Sequence, residues 1–398
     1  MKIVHIQTEF TGYGNEPFRL HSALLNKGYD SILYNYKSIL ETDKIKLFRK
    51  KDNFFKKKIN SFFYSWSMST KIDGTYFYSP LPFLGHNISS YNDIQTADII
   101  LLHWTQGLFL NLKDVEHIFK LGKPVIIVLH DMWYVTGGCH HKFGCTQKYC
   151  IKCPFFDHIN FSTIYQNFIK RKLYAEYKNV VFLCYSKWMY NQLVSSPFML
   201  KNRIYILPPY IDDNVFYPRD KEMSKLQLGI EKKYKVITFG SVASTTNKYK
   251  GIEYLVKALN ILKRKDILVL MYGSQSVDVK LCDIPIVNLG IVSQEEQMNI
   301  INNATDVFVT SSLIESYGMT VMENLLCRTP VVAFNTSALP ELIDHKKNGY
   351  LAELKNINDL ANGLEYVLDN IDKDNFKSPS YHSDVVVKEY ENLFNKLI

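Results

Sequence analysis

The chain has 398 residues, 46% hydrophobic and 22% charged, a composition ordinary for a soluble globular protein and too long for one compact core. No segment approaches the ~18 uninterrupted apolar residues of a membrane span, which excludes an integral helical membrane protein. The net charge of +8 is a mild excess. Residues 1–7, MKIVHIQ, read as a short strand and not as a signal peptide, so a cytoplasmic protein with mostly reduced cysteines is expected.

In chain order, residues 2–7 form a strand, 11–15 (TGYGN) a turn containing Gly12 and Gly14, and 16–27 a helix ended by Gly28. Strand, glycine turn and helix open a doubly wound parallel sheet, whose ligands bind at the carboxyl edge. The glycines do not follow G-x-G-x-x-G, so a dinucleotide fingerprint is absent. Further strands are expected at 32–34, 99–103, 125–130 and 180–185, completing an α/β domain over 1–207.

Between residues 44 and 58 lie eight basic residues, Lys44, Lys46, Arg49, Lys50, Lys51, Lys56, Lys57 and Lys58, against one acid, Asp52. Phe48, Phe54, Phe55, Phe62, Phe63 and Trp66 are interleaved or follow closely. Such a segment suits an anionic membrane surface, a charged loop with inward aromatics, or a nucleic acid.

Two expected strands end in His103-Trp104 and His130-Asp131-Met132-Trp133, at the edge where ligands bind. A histidine there is either a hydrogen-bonded structural residue or a functional one, and two at neighbouring edges favour function. Cys139, Cys145, Cys150 and Cys153 follow within fifteen residues, with His140 and His141 as reserve ligands. The spacing suits a structural zinc site, reduced thiols in a packed loop, or disulfide and redox chemistry. A catalytic zinc is disfavoured, because four cysteines leave no open position.

Residues 207–218 are rich in proline and turn formers, and the charged stretch 219–225 reads as their continuation in a linker. A second α/β domain is expected over 208–376. It has a strand at 235–239, a loop from Gly240 to Tyr249, and a helix over 252–263 opened by Lys250 and Gly251. A lysine at a helix N-terminus opposes the dipole unless an anion sits there, so Lys250 reads as a phosphate contact or a solvated surface lysine. Strands at 268–273, ending in Gly273, and at 287–290 precede a helix at 294–303.

Next come the strand 307–309 and T-S-S-L-I-E-S-Y-G-M-T-V-M-E, with Glu315 and Glu323 eight apart around Gly318. Paired carboxylates suit an acid and a base. They also suit ligand holding: a helix starting near Gly318 offers free N–H groups and its positive dipole end to a diphosphate, while the two carboxylates reach different parts of one elongated molecule. A strand at 330–334, a short helix at 337–343 and helices at 358–370 and 382–397 complete the chain. The last helix, within 377–398, is expected to return to the first domain.

These residues resemble the retaining glycosyltransferases of family 4. The resemblance rests on E-x7-E (Glu315 to Glu323), the following TPVVAF strand and the NGYL turn. In the first domain FRLHSALL, LHW, HDMWxxTGGCH and CxxCP resemble a subgroup that builds bacterial capsule and exopolysaccharide. It implies a GT-B architecture, two Rossmann-like domains with parallel sheets facing a central cleft. It also implies transfer of a hexose from a nucleotide-diphosphate sugar to a lipid-linked oligosaccharide, with no metal or other cofactor required for catalysis.

By motif position Glu315 would contact the donor sugar, Ser316, Tyr317, Gly318, Met319 and Thr320 the diphosphate, and Glu323 the ribose. Lys250 would contact a phosphate, and Gly240, Ser241 and Gly273 would lie against the donor. Lys248 would supply the charge that an arginine brings in the family. His130 would face the anomeric carbon, and Gly12, Gly14, His103 and Asp131 the acceptor. An epimerase acting on a nucleotide sugar with the same architecture is a second reading, and a non-enzymatic nucleic-acid-binding protein a third. No recognised nucleic-acid module appears.

Overall fold

The computed structural model describes residues 1–10, 15–48, 54–68, 78–147, 149–196, 203–240, 248–273, 284–371 and 376–398. The expectations for Gly12, Gly14, Ser241 and the basic residues 49–51 lie outside these. The chain divides into two compact units, one holding residues 1–10, Asn15–Tyr210 and Asp384–Ile398, the other Ile211–Ser383.

The first unit is built on a seven-stranded, all-parallel sheet: β1 (Lys2–Phe10), β2 (Asp30–Ser38), β3 (Ile45–Leu47), β4 (Ile99–Leu102), β5 (Val125–Leu129), β6 (Val180–Cys184) and β7 (Ile204–Ile206). Their order is β3-β2-β1-β4-β5-β6-β7. Parallel strands are covered on both faces, so IILL and VIIVL of β4 and β5 are continuous apolar runs, every residue buried. Direction of travel across the sheet reverses between β1 and β4, where Ile6 pairs with Leu102. Carboxyl ends diverge there and leave a crevice.

Helix Glu16–Asn26 starts where the Asn15 side chain accepts from the Phe18 N–H, with Pro17 in its first turn. The terminal helix Ser383–Leu397 buries Val386, Val387, Tyr390, Leu393 and Phe394, and its Tyr390 hydroxyl donates to the Pro208 carbonyl at 3.3 Å.

The second unit has a six-stranded parallel sheet of β8 (Lys235–Gly240), β9 (Ile267–Tyr272), β10 (Ile286–Asn288), β11 (Val307–Thr310), β12 (Val331–Phe334) and β13 (Gly349–Ala352). The order β10-β9-β8-β11-β12-β13 reverses between β8 and β11. Its core joins Ile237, Val269, Val309 and Val332 to Leu255, Leu259, Leu360 and Leu364.

The charged stretch read as linker is corrected in part. Lys221–Gln227 is a helix, because the Asp220 side chain caps it by accepting from the Met223 N–H. Asp306, just before β11, then pins the helix: it meets Lys221 at 2.8 Å and Lys225 at 2.9 Å and accepts from the Val236 N–H at 2.8 Å. Lys225 is 3% exposed, so its charge depends on that partner. Asp306→Ala is expected to destabilise the second unit by about 3 kcal/mol, read as a lowered urea midpoint with unchanged slope.

Candidate active site

The second unit gathers its chemistry at the β8/β11 reversal. After β11 the chain runs against the segment that opens helix Ile252–Ile261. Leu313 N–H donates to the Tyr249 carbonyl at 2.8 Å, and the Ser311 hydroxyl to the Lys250 carbonyl at 3.0 Å. Gly251 makes this approach possible: its φ is +64°, and a Cβ would lie 2.1 Å from the Ser311 carbonyl oxygen. Lys250 Nζ consequently reaches Glu315 Oε1 at 2.6 Å. Burial pulls the Lys250 pKa down, but Glu315 and Tyr249 outweigh it and leave it raised, so the ammonium is charged at neutral pH. Glu315 is the anion beside the helix start that the sequence demanded of a ligand.

Glu315 is held in turn, its N–H donating to Ser337 Oγ at 2.8 Å. Ser316 and Tyr317 are buried, and helix Met319–Leu326 begins at Gly318 with no side-chain cap. Its first-turn N–H groups therefore point out of the helix with the dipole's positive end. Glu323, one turn along the same helix, is 1% exposed. Lys248 lies exposed in the 3-10 turn Lys248–Lys250.

Tyr272 was not singled out in the sequence. It ends β9 just before Gly273, and its ring fills the place a Gly240 Cβ would need, 2.3 Å away. The buried hydroxyl has no hydrogen-bond partner among the described residues. Burial, and then Glu323, raise its pKa, so it is a neutral phenol with a donor to offer. Only pairing of β8 with β9 brings Gly240 and Tyr272 together.

In the first unit a ladder of histidines lies at the β1/β4/β5 edge. His5 Nδ1 is 3.0 Å from His103 Nε2, and His103 Nδ1 is 3.0 Å from His130 Nε2. His103 is fully buried, and its ring orients His130. His130 is partly exposed, and burial holds its pKa down at about 4, so it is neutral near pH 7. Glu16 Oε2 lies 3.7 Å from His103 Nδ1 and 3.8 Å from His130 Nε2. Burial pushes Glu16 up to about 7 against the opposing pull of Tyr185 and Arg19.

Asp131 is also engaged inside the unit, accepting from the Trp133 N–H at 2.8 Å and pairing with His140 Nδ1 at 2.6 Å. Burial would raise its pKa, but His140 and Trp133 hold it below the usual value. These bonds fix the loop after β5.

Residues 220–379 match the family of glycosyl transferases group 1. The second unit is a glycosyl transferases group 1 domain. The whole chain is similar to an uncharacterized glycosyltransferase of Methanocaldococcus jannaschii, 24% identical over 78% of this chain and 87% of that one. Three other curated relatives are matched over about half of their own length. In fold the chain is similar to sucrose-phosphate synthase from Thermosynechococcus elongatus (TM-score 0.65, 13% identity, 99% of this chain and 98% of that chain). It is also similar to HepE of Anabaena, solved with UDP-glucose (TM-score 0.62, 14% identity, 100% of each chain). The fold is the two-sheet α/β fold of GT-B glycosyltransferases, and the enzyme class supported is glycosyltransferase.

Outside the group 1 domain, the basic run divides. Lys44 pairs with Asp30 and Lys46 with Asp93 along β3, and Phe48 stacks on Tyr34 in the core. Helix Phe54–Met68 instead turns aromatics outward, with Phe54 73%, Phe62 66% and Trp66 52% exposed. Among the described residues, the one group of His, Cys, Asp or Glu with ligand atoms all within 4.8 Å of one another is Glu16, His103 and His130. Burial pushes Cys139 up to about 12 and Cys153 to about 11, which keeps both protonated.

Two outcomes are expected. Gly251→Ala forces a Cβ against the Ser311 carbonyl and is expected to cost about 2 kcal/mol in denaturant unfolding. The histidines set the acid limit: burial lowers His21 and His130 to about 4, and His5 and His103 fall below their ordinary value. The unfolded chain then binds more protons than the folded one between about pH 6.5 and 4. Their stabilisation is complete above that window and lost as pH falls through it. Glu16, raised, works in the opposite sense between about 4.5 and 7. With four histidines against one glutamate, Tm is expected to drop from pH 6.5 towards 4, and His21→Asn to flatten the drop.

Proposed function

We propose that the chain is a retaining hexosyltransferase that moves a sugar from a nucleotide-diphosphate donor to a lipid-linked saccharide at the cytoplasmic membrane face, in assembly of a bacterial surface polysaccharide. The observation that carries this reading is the Lys250–Glu315 pair beside the uncapped helix start at Gly318. In it the diphosphate lies at the N–H groups of residues 317–320 and at Lys250, which shifts part of its bonding from Glu315 to phosphate. Glu315 then has lone pairs for sugar hydroxyls, and Glu323 serves the ribose, with Tyr272 as a neutral donor beside it. UDP-glucose in the structurally similar HepE supports a nucleotide sugar as donor.

The acceptor oxygen forms its bond to the anomeric carbon on the face from which the diphosphate leaves, and the departing phosphate oxygen takes the acceptor proton. Negative charge grows on that oxygen, where a fixed cation and helix N–H groups stabilise the transition state more than the ground state. His130, neutral and oriented by His103, serves the sugar near the anomeric carbon as a hydrogen-bonding group. Helix Phe54–Met68, with three lysines, outward aromatics and no acid, rests on anionic lipid and brings the enzyme to its acceptor.

A nucleotide diphosphate at ~100 times its dissociation constant is expected to add ~2.7 kcal/mol of apparent stability, seen as a raised Tm. Lys250→Ala and Glu315→Ala are expected to stay folded and to lose roughly 100-fold or more in transfer; full activity in both removes the site assignment. Donor isomerised with no acceptor present would identify an epimerase instead.

A further inference from the structure

We propose that the outer face of helix Phe161–Glu176 and the groove beside it form a second lipid-contacting surface, which takes an acyl chain of an anionic bilayer lipid. This rests on the membrane reading of helix Phe54–Met68 and extends it to a part of the first unit with no other role.

Phe161, Tyr165 and Phe168, at i, i+4 and i+7, lie along one helical face and are 67%, 58% and 63% exposed. The next residue of that face is Lys172. Beside it a groove of about 860 Å³ is lined by Tyr149, Ile151, Ile164 and Phe168, with Arg171 and Lys172 among its cations. The Arg171 guanidinium lies 4.7 Å from the Tyr149 ring centroid. Contiguous exposed apolar surface of this kind marks an interaction site.

Charge selects the occupant. The outward side of the helix carries Arg171 and Lys172, with Lys170 buried against the Trp133 and Thr136 carbonyls, and Glu176 is the one acid, in its last turn. Apolar side chains bordered by cations match the boundary between acyl chains and anionic headgroups. Continuity agrees: Asn160, the cap of this helix, donates from its side chain to the Ser67 carbonyl at 2.8 Å, so it begins where the aromatic helix Phe54–Met68 ends.

The cysteine loop gains a task here. Thr163 donates to the Cys150 carbonyl at 3.0 Å, and the Asn167 side chain approaches Cys150 Sγ at 3.7 Å. These contacts hold Tyr149 and Ile151, which flank Cys150, against the helix as one wall of the groove.

The test is co-sedimentation of the full chain with phosphatidylcholine vesicles, with and without phosphatidylglycerol, for wild type, F54S/F62S and F161S/F168S. The four phenylalanines are exposed, and unchanged Tm and nucleotide-induced Tm shift establish an intact fold and donor site in every variant. F161S/F168S is expected to weaken binding to phosphatidylglycerol vesicles by about tenfold or more, and R171A/K172A to weaken it only where phosphatidylglycerol is present. Wild-type binding by F161S/F168S alongside loss in F54S/F62S overturns this inference and leaves the membrane reading of the first helix standing. Unchanged binding in both overturns the two together, whereas loss of the nucleotide response in wild type strikes the donor-site reading alone. Conversion of a wild-type dimer to monomer by F161S/F168S identifies the face as a protein interface and overturns it too.

Discussion

The approach of the Lys250–Gly251 peptide to the strand-end loop after β11 is the contact on which the Lys250–Glu315 pair depends. Two backbone segments meet with no side chain between them, and the Tyr249 and Lys250 carbonyls are taken by Leu313 and Ser311. That contact sets the Lys250–Glu315 separation, and the separation keeps a partly buried ammonium charged. An ion pair in this position is more than a fastening. A second anion arriving at Lys250 finds its cation already desolvated and oriented, so little reorganisation remains. Glu315 keeps the buried lysine paired, and in the proposed function it turns to sugar hydroxyls as the anion takes over part of that pairing.

The first unit solves a related problem with neutral groups. Desolvation lowers the pKa of each ladder histidine, and the 3.0 Å spacings require one hydrogen per contact. A consistent set has His5 donating to His103 and His103 to His130, which leaves the exposed end of the ladder oriented without a net charge. Glu16, raised to about 7, follows the same logic, since burial penalises the ionised carboxylate by more than Tyr185 and Arg19 repay. The unit thus offers a hydrogen-bonding imidazole, and the group 1 domain offers the cation.

How much of this was legible in the sequence depends on the range of the interaction. Strands, the helix start at Gly318 and the pairing of strand ends with charged or histidine residues follow from local pattern and the rule that parallel sheets bind ligands at their carboxyl edge. Lys250 was identifiable because a lysine at a helix start is locally wrong. Its partner was not, because Glu315 is 65 residues away and only the β8/β11 pairing joins them. Tyr272 escaped for the same reason: it looks like the end of an apolar run until its hydroxyl is found buried beside Glu323. The internal bonds of His103 and Asp131 were not legible either, since sequence shows which edge a residue reaches and not whether its atoms are already occupied.

The basic aromatic segment shows how one compositional signal can hold two physical roles. Lys44, Lys46 and Phe48 lie on or just beyond a short edge strand, where the lysines find Asp30 and Asp93 and the ring finds the core. The helix that follows has lysines in its first turns and aromatics along its length, yet buries only Asn60 and Ser67. A chain that hid Phe54, Phe55, Phe62 and Trp66 inside would gain apolar burial, so leaving them in water is costly unless something else covers them. The same reasoning applies to Phe161, Tyr165 and Phe168, and it connects surface to chemistry. Under the proposed function the acceptor is held in a membrane, and an enzyme held at that membrane meets it at a raised effective concentration without any added contact in the site.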